Sequence, residues 1–222
     1  MNRNVLKIIA VISMAVDHIG LFFFDELFIL RVIGRLAYPI FAFFIAEGLI
    51  HTRNRKKYCI HLLICAIITQ IPYAFLFNYL KLNVIFTFLV AILFVYLLEN
   101  KKLSNYLKFV IITCITILFT FLDFVSVLDY GILGVALVLT FYFIKNKNVK
   151  HLTALAIILL MTLENIILSG FSIWSTIQIY SLTSLGLLML YNNEKGKYNL
   201  KHFFYLFYPT HFYIIWIALL LI

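Results

Sequence analysis

Nine stretches of apolar residues follow one another along this chain, parted by short polar segments, and their lengths suit helices rather than strands. They run over about 5–24, 28–50, 58–79, 82–98, 107–122, 130–144, 150–168, 173–191 and 202–221. The runs are continuous instead of alternating, which argues against a β-barrel. Several fall short of the ~20 residues that a perpendicular helical crossing needs, so some helices are expected to be broken or to begin inside the protein. Pro39, Pro72 and Pro209 mark expected kinks. The pattern predicts an all-α polytopic membrane bundle of about nine transmembrane helices, forming one domain over residues 1–222.

Composition supports this reading. With 64 % hydrophobic residues and a mean hydropathy of +1.05, the chain has more apolar surface than a soluble domain can bury. The net charge of +9 invites a nucleic-acid partner, but the cations lie in short loops, where membrane topology explains them better. Alternate loops collect 15 of the 18 basic residues, including Arg3, Lys7, Arg53, Arg55, Lys56 and Lys57. The intervening loops hold Asp25, Glu26, Lys81, Asp123 and Asp129. The excess of cations on one side predicts a cytoplasmic N-terminus and an external C-terminus, as expected of a multi-pass plasma-membrane protein. The first run resembles a signal peptide, yet it contains Asp17-His18 and no small-residue cleavage site follows, so it is expected to remain as a helix. Cys59, Cys65 and Cys114 form no CxxC pair. They read as small apolar residues rather than disulfides, and no metal ligand set is expected.

The informative residues are those that break the apolar runs. Asp17-His18 ends the first, Arg31 and Arg35 open the second, and His211 lies within the last. An ionisable group at the centre of a membrane helix costs about 2.5–3.5 kcal/mol on insertion scales, and such groups commonly mark functional sites. In the predicted topology Asp17, His18, Arg31, Arg35, Asn83, Thr87, Asp123, Asp129, Tyr130, Glu164, Asn165, Gln178 and His211 fall at similar depth in the outer half. A shared, partly hydrated pocket would solvate them. His18 suits a general base, because imidazole exchanges protons near neutral pH; its bland alternative is a histidine bonded to a neighbouring helix. Asp17 is expected to pair with Arg31 or Arg35, or to reach His18 through water. The arginines would bind an anion or stabilise an oxyanion, or merely tie helices together. Lys7 stands eleven residues before His18, about 16 Å along a helix, a span that a phosphate with a long thin arm would bridge. Asn83, Thr87 and Gln178 read first as helix–helix hydrogen bonders. Asp129 reads as an N-cap before Tyr130-Gly131, and Glu47 as neutralised by Arg53 or another inner-loop cation.

Several ordered motifs carry a family resemblance. They are Leu6-Lys7-Ile8-Ile9-Ala10 leading to Asp17-His18-Ile19-Gly20, Ile33-Gly34-Arg35 through Tyr38-Pro39 to Phe43, Glu47-Gly48, His51 to Tyr58, Gln70-Ile71-Pro72, Asn83 to Phe88, Asp129-Tyr130-Gly131 and Tyr208-Pro209-Thr210-His211. Together they make the chain resemble the TraX family of membrane proteins over nearly its whole length. That family is associated with N-terminal acetylation of conjugative pilin and is similar to larger transmembrane acyltransferases. In those, a basic residue precedes the helix-1 histidine by the spacing of Lys7 and His18. The resemblance implies an acetyltransferase that uses cytoplasmic acetyl-CoA and an external acceptor amine or hydroxyl, on a pilin, secreted peptide or glycan. His18, Asp17 and Arg35 would then be catalytic. Arg31, Asn83, Thr87, Asp129, Tyr130 and His211 would line the acceptor site, and Lys7, Arg53, Arg55 and Lys56 would hold the CoA nucleotide. Direct transfer and an acetyl-histidine route are both compatible with this set. Two other classes stay open: a proton-coupled transporter or exporter built on the same ionisable residues, and a non-catalytic assembly factor in which those residues are structural.

Overall fold

The computed structural model describes residues 1–77, 81–124, 128–198 and 201–222, with side chains at all of these but 119, 122–124, 201 and 202. The fold is all-α, a helical membrane bundle with no strand among the described residues. Its helices are α1 (Arg3–Phe23), α2 (Phe28–Gly34), α3 (Ala37–His51), α4 (Arg55–Leu76), α5 (Val84–Glu99), α6 (Asn105–Phe124), α7 (Gly131–Phe143), α8 (Lys147–Ser169), α9 (Leu182–Met189) and α10 (Lys201–Leu221). Five apolar spans are long enough to cross a membrane, with Phe28–His51 taken as one; four shorter apolar helices accompany them. Each expected run thus has its helical counterpart.

Asparagines set four of the starts. Asn2, Asn54, Asn83 and Asn146 each accept a hydrogen bond from a backbone N–H of the first turn of α1, α4, α5 and α8. Such a cap satisfies a donor that has no partner inside the helix. The expected helix over 28–50 is instead two helices, with a turn at Arg35 and Leu36. Pro39 explains the break: it has no N–H for the Arg35 carbonyl four residues earlier, and its ring crowds that oxygen. The run at 173–191 is likewise divided, into turns, a 3-10 segment Ile177–Ser181 and the short α9.

Two sets of segments form compact units. Unit 1 comprises Met1–Phe44 and Phe143–Phe204, and unit 2 comprises Ile45–Tyr142 and Tyr205–Ile222. In unit 1, α1 and α2 approach closely through glycine. A Cβ on Gly20 would stand 2.7 Å from the Leu30 Cβ, well inside van der Waals contact. Close approach at small residues is the usual basis of helix association in lipid, where apolar burial gives little drive. In unit 2, Leu49, Leu62, Ala66, Ile85, Ile92 and Val95 form a buried apolar cluster.

Pro72 and Pro209 lie inside α4 and α10, and each leaves an orphan carbonyl four residues back. The other helix supplies the missing donor both times. The Tyr213 hydroxyl donates to the Ile68 carbonyl at 3.2 Å, and the Cys65 thiol donates to the Tyr205 carbonyl at 3.5 Å. In hydrocarbon an unsatisfied backbone group costs several kcal/mol. The exchange makes α4 and α10 mutually completing, and gives Cys65 a role beyond that of a small apolar residue.

Candidate functional site

The ionisable residues of α1 and α2 converge on one carboxylate. Asp17 is buried in unit 1. Its Oδ1 and Oδ2 accept from Arg35 Nη2 at 2.7 and 2.9 Å, and its Oδ2 lies 2.8 Å from Arg31 Nη1. Arg31 Nη1 also donates to the Asp17 carbonyl at 3.1 Å. The arginines project from one face because they are four residues apart, one helical turn. Gly34 lies between them and makes the arrangement possible, since a Cβ there would overlap the Asp17 side chain. The carboxylate therefore rests directly on the α2 backbone. One carboxylate thus holds two guanidiniums.

His18 follows Asp17 on α1, about 100° around the helix, and is half-buried. Lys7 lies on the same helix with its ammonium 5.0 Å from the Phe44 ring centroid and 4.9 Å from that of Phe204. Two aromatic faces stabilise a cation where water is scarce. Composition alone does not reveal that pair of rings, nor the cradle at Gly34. The expected structural reading of Gln178 fits its setting: it is buried and its Nε2 donates to Ser181 Oγ at 3.0 Å.

The other expected site residues belong to unit 2. Asn83 is wholly buried, and its amide is fully engaged. Nδ2 donates to the Ala66 carbonyl and to Gln70 Oε1, both at 2.9 Å, while Oδ1 caps Ile85 N–H at 3.1 Å. Thr87, also buried, donates to the Asp129 carbonyl at 2.6 Å. The Asp129 carboxylate faces Lys81 at 3.4 Å; α7 begins at Gly131, which like Tyr130 before it is at positive φ. His211 Nδ1 is 3.1 Å from the Phe207 carbonyl. A carbonyl only accepts, so Nδ1 carries a proton. Glu47 pairs with His51 Nε2 at 3.4 Å, one turn along its own helix. Arg55 is committed to Glu99 and donates to the Tyr142 hydroxyl at 2.8 Å, while Arg53 and Lys56 are exposed. The Asp123 side chain lies outside the described residues.

Comparison with known proteins agrees with this architecture. The family model described as "TraX protein" matches residues 2–219. The probable fimbrial assembly protein FimC, serogroup H1, of Dichelobacter nodosus is 30 % identical, with 95 % of each chain covered. An uncharacterised protein of Rickettsia prowazekii (strain Madrid E) is 28 % identical across 66 % of this chain and 57 % of its own length. No solved structure matches. With its bundle of apolar helices and a family match running almost from end to end, the chain is a membrane protein of the TraX family.

Proposed function

We propose that this protein is a plasma-membrane acetyltransferase that moves an acetyl group from cytoplasmic acetyl-CoA to an amine or hydroxyl of an external acceptor, such as a pilin or other secreted peptide. The observation that carries the reading is His18, placed in an apolar helix one residue beyond an aspartate clamped by two arginines. Family membership supports acyl transfer, and the relative named as a probable fimbrial assembly protein supports a filament subunit as acceptor. A glycan acceptor fits the same chemistry.

His18 removes the proton from the attacking amine or hydroxyl as its nitrogen or oxygen bonds to the acetyl carbon. The carbon–sulfur bond then breaks and the CoA thiolate leaves, taking a proton. Arg35, with Arg31 beside it, supplies a fixed positive field for the negative charge that develops on the carbonyl oxygen. Asp17 is a positioning residue in this scheme: it holds both guanidiniums in register. Lys7 suits a phosphate of the acyl donor, because the rings beside it stabilise the ammonium and leave its donors available. The exposed Arg53 and Lys56 attract anions to the cytoplasmic surface. Arg55 contributes less, since Glu99 already neutralises it.

The test is incubation of the detergent-purified protein with radiolabelled acetyl-CoA and a panel of amine and hydroxyl acceptors. Acetyl transfer and CoA release are expected with the native chain and are expected to vanish in His18→Ala, with thermal unfolding unchanged. Undiminished release by a folded His18→Ala protein would remove His18 from the mechanism. Absence of release with every acceptor would remove acyl transfer itself.

A further inference from the structure

Unit 2 holds a charged cluster around Asp129, a residue expected to line the acceptor site, to which the steps of the proposed transfer assign no role. It is built on two short segments flanking α5 and α7. Leu82 and Leu128 form an isolated parallel bridge that sets the segments side by side. The first is fixed to α4, because Gln70 Nε2 donates to the Lys81 carbonyl at 2.7 Å and Asn83 N–H donates to Gln70 Oε1 at 3.1 Å. The second is fixed by Thr87, through the Asp129 carbonyl. Their side chains meet as an ion pair, Lys81 Nζ to Asp129 Oδ1, at 3.4 Å. The Lys81 ammonium also lies 5.3 Å from the Phe77 ring centroid.

Two features exceed what a simple ion pair requires. Tyr130 has φ of 62°, a left-handed conformation that costs about 1–3 kcal/mol for a bulky residue and persists only where its surroundings impose it. The Tyr73 side chain is 1 % exposed, and its hydroxyl faces the Asp129 carboxylate without a bond of good geometry. A buried hydroxyl held this way keeps hydrogen-bonding capacity in reserve. The cluster thus sets a carboxylate and an aromatic face around one ammonium, with the Tyr73 hydroxyl beside the carboxylate and its ring stacked on Phe77. It is also accessible, since the Lys81 and Asp129 side chains keep 29 % and 28 % of their surface exposed.

We propose that Asp129, Phe77 and Tyr73 form a binding site for a primary ammonium, and that Lys81 is an internal occupant displaced when a ligand's amine arrives. The incoming ammonium donates to the Asp129 carboxylate and the Tyr73 hydroxyl and lies against Phe77, while Lys81 swings to water. The best-matched ligand is the α-ammonium of a peptide N-terminus. Only that identification rests on the proposed acyl transfer; the site itself rests on the cluster. An occupant of this kind weakens ligand binding by the fraction of time it holds the site, so its removal tightens binding in proportion.

Phenylalanyl-leucinamide and its N-acetylated form serve as probes, titrated calorimetrically into the solubilised full chain. The free amine is expected to bind, and acetylation to weaken it about tenfold or more. Asp129→Asn is expected to abolish binding, and Lys81→Gln to tighten it about tenfold. Equal binding of the two probes, no binding of either, or binding unchanged or weakened by Lys81→Gln would overturn the site. Lys81→Gln decides the matter even where Asp129→Asn fails to fold, because a purely structural pair predicts lost stability with no gain in affinity. His18→Ala separates the two proposals, being expected to end transfer while leaving amine binding intact. Amine binding as described without any acyl transfer keeps the site and removes the enzyme. Transfer to amines that is indifferent to Asp129→Asn does the reverse.

Discussion

Unit 1 and unit 2 each contain a three-membered charged cluster, and the two use similar groups in opposite settings. Asp17 with Arg31 and Arg35 is enclosed, with side-chain exposures of 12 %, 17 % and 11 %. Glu99 with Arg55 and Tyr142 joins the ends of three helices in unit 2, where Glu99 and Arg55 remain 38 % and 33 % exposed. Water screens the second cluster and substitutes for any lost partner, so it fastens helices at little cost and little gain. The first is largely closed to water. Removing one member unbalances charges held in an apolar medium, which makes the cluster costly to assemble and costly to damage. The geometry differs as well: Glu99 faces one guanidinium, whereas Asp17 holds two. Enclosed charge held in fixed register is what a site needs and what a fastener can do without.

The sharpest way to break this contrast is Asp17→Asn. It removes the carboxylate that two enclosed guanidiniums share and is expected to cost about 3–5 kcal/mol, read as loss of cooperative thermal unfolding in detergent. A small effect would mean that the cluster is wetter than its exposure implies. Gly34→Ala probes the same cluster through shape alone. The added methyl overlaps Asp17, and a cost of about 1–3 kcal/mol is expected, together with reduced acetyl transfer as the arginines shift. Tyr213→Phe takes the donor from the Ile68 carbonyl; about 1–3 kcal/mol should be lost, with faster hydrogen exchange around Pro72 as the local signature. Glu99→Gln is the control. It should change stability by no more than about 1 kcal/mol, less at high salt, and leave acetyl transfer intact. A Glu99→Gln protein as unstable as Asp17→Asn would erase the distinction between the clusters.

The helices were legible from apolar run length: the run over 5–24 is α1, Arg3–Phe23, and that over 150–168 is α8, Lys147–Ser169. Asp17 and the two arginines were also legible as partners, because buried opposite charges must meet. How closely Asp17 sits on α2 was not. Gly34 opens the room for it, and a glycine within an apolar run gives no sign of what will rest on it. The break at Arg35–Leu36 was concealed for a related reason. Pro39 announces a disturbance, but whether a helix bends or stops depends on what else can satisfy the freed carbonyl. The pairing of Lys81 with Asp129 was hidden because it depends on two segments more than 40 residues apart, as the Thr87–Asp129 bond shows with its separation of 42.

The exchange of donors between α4 and α10 has a consequence for biosynthesis. Cys65 and Tyr205 are 140 residues apart. At a synthesis rate of 5–20 residues per second, α4 leaves the ribosome roughly 7–28 s before α10 follows. Throughout that interval the Ile68 carbonyl has no Tyr213 beside it. A lone α4 is therefore poorly suited to partition into lipid, and is expected to linger at the insertion machinery or under a chaperone until α10 emerges. The arrival of α10 then acts as a completion mark, by which quality-control proteases can tell a finished chain from an interrupted one.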